Sequence, residues 1–179
     1  MTGILLLVTG LSGSGKSTLV SKVLKRIQNL EYLKTYTTRP MRLGEESSHE
    51  YIFVSQPEYN QLQAASPRWD HTAYNGFSYG ADVKNIYHSL KSGTNIICCV
   101  APDADIVSLV RDTYHAETVI IMIDTPKDVA IARIAQNTQR SARKEEIFGM
   151  VVDYTFKPTE NLSADIKRFH KLITTITKK

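Results

Sequence analysis

Gly10-Leu11-Ser12-Gly13-Ser14-Gly15-Lys16-Ser17 fills every fixed position of G-x-x-x-x-G-K-[ST]. Glycines let backbone N–H groups turn toward a phosphate with no Cβ in the way, and a helix N-terminus after Gly15 adds partial positive charge. The expected ATP-binding set is therefore Gly10, Ser12, Gly13, Ser14, Gly15, Lys16, Ser17 and Thr18. Lys16 can reach the β- and γ-phosphates, and the Ser17 hydroxyl can hold Mg2+. An ordinary Gly/Ser turn would match the four fixed positions by chance in well under ~1% of chains this long.

A second group of residues follows. Arg39 and Arg42 lie three apart, with Tyr51 and Tyr79 downstream. Guanidinium groups pair with phosphate in a bidentate way, and phenols add neutral hydrogen bonds. Two arginines alone read as solvated surface charge. Downstream of a phosphate loop they read as a second site, one that holds a phosphorylated acceptor facing the donor's γ-phosphate.

The elements that must position these groups are legible in outline. Ile4–Val8, Asn95–Val100 and Thr118–Ile123 are apolar runs expected as parallel strands buried on both faces. Helical spacing follows in Ser17–Leu30 and in roughly Ala104–Thr113. A third helix is expected to start at Thr125-Pro126-Lys127-Asp128, with Thr125 as cap and Asp128 completing a capping box. Ile166, Phe169, Ile173 and Ile176 mark an amphipathic C-terminal helix. Alternating strands and helices argue for an α/β three-layer sandwich around a central parallel sheet, of the P-loop NTPase type. Residues 35–84 break the rhythm and read as a partly β insertion, with turn signals at Leu43-Gly44 and Asn75-Gly76. The chain reads as one domain: a core of 1–34, 85–125 and 150–179, the insertion 35–84, and a further segment of about 126–149.

Composition narrows the class. The 179 residues are 42% hydrophobic and 22% charged with net charge +4, which suits a polyphosphate-handling globular protein. No basic cluster beyond Lys178-Lys179 points to nucleic acid, and no apolar run approaches ~18 residues, so neither nucleic acid nor membrane is an expected partner. Cys98 and Cys99 are adjacent in an apolar run, which reads as two small strand residues facing opposite ways in a reducing, cytoplasmic setting. The five histidines lack metal-ligand spacing.

Thr37–Val54, taken with the phosphate loop and the insertion, resembles the acceptor-binding signature of the guanylate kinase family. The resemblance covers most of the chain. It implies that Arg39, Arg42, Tyr51 and Tyr79 hold the phosphate of a nucleoside monophosphate, that Thr35 and Asp70 read guanine, and that Arg133 and Arg140 are lid arginines closing over the transferring group. Asp70 stands where the family has glutamate, and His71 where Trp is usual. Cys99 and Ala101 replace paired aspartates, with Asp103 two residues on. Ser48 replaces a glycine. Gly149-Met150 replaces an arginine, although Arg143 is near.

The leading expectation is ATP- and Mg2+-dependent phosphoryl transfer with Lys16, Arg39, Arg133 and Arg140 as catalytic groups, GMP or dGMP as acceptor, and no protein nucleophile. One alternative keeps the chemistry with another small phosphate ester such as ribose 1,5-bisphosphate, because a ribose-bisphosphate kinase of the same fold lacks the guanine carboxylates. The other is a non-catalytic binding module, although such modules lose the phosphate loop retained here. The sequence leaves the oligomeric state open.

Overall fold

The computed structural model describes residues 2–43, 45, 49–100, 117–136 and 151–178. Five parallel strands form the main sheet: β1 (Leu5–Thr9), β2 (Leu30–Tyr32), β7 (Asn95–Cys99), β8 (Thr118–Ile123) and β9 (Tyr154–Phe156), in the order β2-β7-β1-β8-β9. Alternation along β1 splits the core in two. Leu6 and Val8 pack with α1 (Lys16–Leu24) and the C-terminal helix α5 (Leu162–Thr177) on one face. Leu5 and Leu7 pack with α3 (Val83–Lys91) on the other. Cys99 joins the first face and Cys98 the second, as the alternation requires. The result is the three-layer α/β arrangement read from the sequence.

β1 sits between β7 and β8, where the chain's connections diverge to opposite sides. A crevice therefore opens at the carboxyl end of β1, and residues 10–15 occupy it.

One expected helix is shorter than its spacing suggests. The pattern Ser17–Leu30 yields a helix only to Leu24. Asn29 then adopts a left-handed φ of 59°, bonds Gly93 O through its amide, and turns the chain so that Leu30 pairs with Asn95 in β2. Ile27 and Leu30 are apolar because the core needs them there, not because the helix continues. The expected helix at Ala104–Thr113 lies outside the described residues.

Residues 35–82 carry a second sheet of four strands, β3 (Thr35–Thr37), β4 (Tyr51–Phe53), β5 (Trp69–Tyr74) and β6 (Phe77–Asp82), in the order β4-β3-β6-β5. Asn75 and Gly76, both left-handed at φ 49° and 77°, close β5 onto β6 as a tight hairpin. Helix α2 (Gln56–Ala65) covers one side of this sheet, started by a capping box in which Ser55 and Glu58 bond each other's backbone. No helix among the described residues is long and apolar enough to cross a membrane.

Candidate active site

The loop after β1 is shaped by its glycines and by what presses on it. Gly13 and Gly15 have φ of 80° and 97°, and a Cβ on Gly13 would run into the Ala130 carbonyl of α4 (Lys127–Ala135). Ser14 N–H closes the turn on Leu11 O at 3.1 Å. Lys16 Nζ donates to the carbonyls of Gly10 and Leu11 at 2.5 and 2.9 Å, so its ammonium is held over the loop. No side chain caps the start of α1, and the Ser14 hydroxyl is buried with no partner among the described residues. Uncapped N–H groups, a buried hydroxyl and an ammonium gathered in one concave turn form a donor set that fits a polyphosphate.

Thr125 does not cap α4. Its hydroxyl donates instead to Ser14 O at 2.9 Å, and the helix begins after Pro126 with no side-chain cap. The expected cap is thus diverted into bracing the loop. Arg133 lies on α4 with Nη1 3.8 Å from where a Cβ on Gly15 would stand, which places its guanidinium at the loop. Arg140, Arg143, Gly149, Met150, Ala101, Asp103 and Ser48 lie outside the described residues.

Behind the loop stands Cys99. Its N–H donates to the Tyr32 hydroxyl at 3.1 Å, and the hydroxyls of Tyr32 and Ser17 stand near its thiol. Burial pushes this thiol up to about 12, the charge of Glu50 adds to the rise, and Tyr32, Lys16 and Ser17 oppose it. Burial likewise raises the Tyr32 phenol, helped by Cys99 and Glu50. Both groups are therefore neutral, and the carboxylate whose charge reaches this corner is Glu50, a residue without a role in the sequence reading. Among the described residues no cluster of His, Cys, Asp or Glu could hold a metal by itself. Mg2+ fits such a site through Ser17 and phosphate oxygens, since it favours few protein ligands.

Strand register brings together several residues expected to bind an acceptor. Thr35 pairs with Tyr51 and Thr37 with Phe53 across β3 and β4, Thr37 pairs with Tyr79 across β3 and β6, and Thr72 and Asp70 pair with Tyr79 and Ala81 across β5 and β6. With a period of two, Thr35, Tyr51, Tyr79 and Asp70 all share one face. Tyr36, Trp69 and His71 take the other, where the rings of Tyr36 and Trp69 meet at 5.4 Å.

Arg39 joins the first face just beyond β3. Its guanidinium lies 5.2 and 5.4 Å from the Tyr51 and Phe53 ring centroids and forms a fork with Glu45, Nη1 to Oε2 at 3.0 Å and Nη2 to Oε1 at 3.1 Å. Nη1 also reaches Pro40 O at 2.8 Å. Glu45 in turn accepts the Arg42 N–H at 2.9 Å, which ties both arginines to one carboxylate. Tyr51 and Tyr79 meet edge-on at 6.2 Å. Burial, helped by Glu50, pushes the Tyr51 phenol up to about 12, so it remains a neutral donor at working pH.

Glu45 makes the arginine fork dependent on pH. Burial pushes its carboxyl up, but the bonds from Arg39 and Arg42 outweigh burial and hold it below the usual 4.5. A depressed folded-state pKa stabilises above the unfolded value, and that contribution is lost as pH falls through the folded one. The melting-temperature gap between wild type and Glu45→Gln should thus be constant near neutrality and close as pH drops below about 4.5. A gap that does not change with pH is the contrary result.

Comparison with known proteins gives a family and a fold. The family model described as guanylate kinase matches residues 3–150. The chain is similar to a guanylate kinase from Rubrobacter xylanophilus, 35% identical over 95 residues, or 53% of this chain and 50% of that protein. A guanylate kinase from Carboxydothermus hydrogenoformans is 30% identical over 145 residues, 81% of this chain and 69% of its own length. In other relatives the match spans 42% and 49% of the protein, so the chain covers about half the length of several curated relatives. The crystal structure of a guanylate kinase from Anaplasma phagocytophilum superposes with a TM-score of 0.66 over 99% of this chain and 88% of that one, at 19% identity, a likeness of fold.

Proposed function

Because this chain belongs to the guanylate kinase family, we propose that it transfers the γ-phosphoryl group of ATP to the phosphate of GMP or dGMP. The observation that carries this reading is the shared face of the second sheet. Phosphate-binding chemistry (Arg39, Tyr51, Tyr79) and a carboxylate suited to guanine (Asp70) stand on one surface, as an acceptor with a phosphate at one end and a base at the other requires. A carboxylate accepts from guanine N1–H and N2–H2 together, and Thr35 adds a hydroxyl on the same face.

In this reading an oxygen of the acceptor phosphate attacks the γ-phosphorus, and the bond from that phosphorus to the β-phosphate oxygen breaks, leaving ADP. Positioning and charge neutralisation supply the catalysis. Lys16 and the loop N–H groups hold the β- and γ-phosphates, Arg133 and Arg140 come over the transferring group, and Arg39 and Arg42 hold the acceptor in line. Mg2+, when bound at Ser17 and the phosphates, supplies further neutralisation of the developing charge. The same reading divides the chain into a core of 1–34, 85–125 and 150–179, an acceptor insertion at 35–84 and a lid at about 126–149.

The test is ADP release with ATP–Mg2+ across GMP, dGMP, AMP, CMP, UMP, dTMP and ribose 1,5-bisphosphate. Turnover confined to GMP and dGMP is expected. Turnover on the sugar bisphosphate alone refutes the guanine assignment and leaves phosphoryl transfer standing. Loss of ADP release with every acceptor points to a binding module instead.

A further inference from the structure

Behind the acceptor face, one phenol oxygen collects three hydrogen bonds. Tyr59 of α2 is fully buried, and its oxygen lies 2.8 Å from Tyr79 O, 2.9 Å from Trp69 Nε1 and 2.8 Å from His71 Nδ1. A phenol has one proton, and a carbonyl can only accept. The Tyr59 proton therefore goes to Tyr79 O, and the indole N–H and the imidazole Nδ1–H both donate to the Tyr59 oxygen. This assigns the His71 tautomer. The Tyr59 ring also meets the rings of Trp69 and His71 edge-on at 5.5 and 5.8 Å.

The placement of these bonds matters more than their number. Trp69 and His71 are the immediate neighbours of Asp70, and they point to the back of the sheet while Asp70 points to the front. Tyr79 supplies its carbonyl to the back and its phenol to the front. One oxygen therefore holds the side chains of both neighbours of Asp70 and the backbone carbonyl of Tyr79. Gly80 allows the cluster to close, because a Cβ there would lie within 3.0 Å of Trp69 Nε1, the Tyr59 oxygen and Asp70 O.

We infer that Tyr59 is a positioning residue for acceptor recognition: its hydroxyl fixes strands β5 and β6 so that Asp70 and Tyr79 present a set spacing to the base and phosphate of one acceptor. A short carboxylate has fewer rotamers with which to correct a displaced backbone, so a rigid strand is the natural support for aspartate at this position. The inference rests on the acceptor reading proposed above.

Tyr59→Phe keeps the ring and removes the shared oxygen, leaving two donors and one carbonyl without their partner. The expected result is an acceptor KM raised about tenfold, with the KM for ATP within about twofold and kcat within about threefold of wild type. Trp69 is the chain's one tryptophan, so its indole N–H resonance is a direct reporter; it should move upfield and exchange faster in Tyr59→Phe. His71 is exposed and provides a second pair of variants. His71→Leu should raise acceptor KM about threefold, whereas His71→Asn, whose amide can replace the Nδ1 donor, should restore it.

An acceptor KM unchanged in both Tyr59→Phe and His71→Leu overturns the inference. So does an equal rise in both KM values with a fall in melting temperature, which marks general loosening. A wild type that ignores GMP and dGMP but turns over another acceptor sinks the guanine reading alone, and the variants are then compared on that acceptor. A wild type that turns over none overturns both.

Discussion

Lys16→Ala should lower the rate of phosphoryl transfer about 10³-fold while leaving the melting temperature of the protein nearly unchanged. The ammonium is held over the loop by the Gly10 and Leu11 carbonyls, and both bonds are only partly buried, so water can replace them. What water cannot replace is a fixed positive charge at the β- and γ-phosphates as negative charge redistributes between them. The remaining loop geometry is supported independently, by Thr125 bonding Ser14 O and by Gly13 packed against Ala130. The loss should therefore appear in kcat more than in ATP affinity. Single-turnover ADP formation gives the first, and the shift in melting temperature on adding ATP gives the second. A loss smaller than tenfold removes Lys16 from the catalytic set.

The loop and the three central strands were legible because each depends on local pattern. Four fixed residue types announce the turn, and continuous Ile, Leu and Val runs announce strands buried on both faces. Elsewhere a distant partner decides the outcome. Leu30 continues the helical spacing of α1, yet its place is set by Asn95, 65 positions away in sequence, through strand pairing. Thr125 has the residue type of a cap, but Ser14 O, 111 positions earlier, accepts its hydroxyl's hydrogen bond. At the acceptor site the residue types were readable and their common face was not, since that face follows from the register of four strands. Glu45 and Glu50 lie inside the Thr37–Val54 stretch, but their contacts are set by the fold, and Tyr59 lies outside it. Ser55 and Glu58 have capping-box spacing, a signal that could have placed α2 and, one turn on, Tyr59.

Arg39→Ala should reduce acceptor kcat/KM by about 10²- to 10³-fold and also lower stability, and the two effects can be separated. Three guanidinium N–H groups are used by Glu45 and Pro40, which leaves two of the five for an acceptor phosphate. The fork with Glu45 thus orients the group without exhausting it. Deleting Arg39 removes the proposed phosphate contact and also leaves Glu45 with a charge in a half-buried setting. A wholly buried orphan would cost about 3–5 kcal/mol, but Glu45 is 21% exposed, so water relieves part of the penalty and about 1–2 kcal/mol is expected. For a chain of this size that is a fall of about 3–6 °C. Removing the orphaned charge as well, in Arg39→Ala/Glu45→Ala, should recover much of the melting temperature and none of the kcat/KM. Arg39→Lys should keep the charge and lose the fork, giving near-wild-type stability with kcat/KM still lowered about tenfold or more. If the double variant instead regains activity together with stability, Arg39 acts only as Glu45's partner, and the acceptor phosphate must be held by Arg42, Tyr51 and Tyr79 without it.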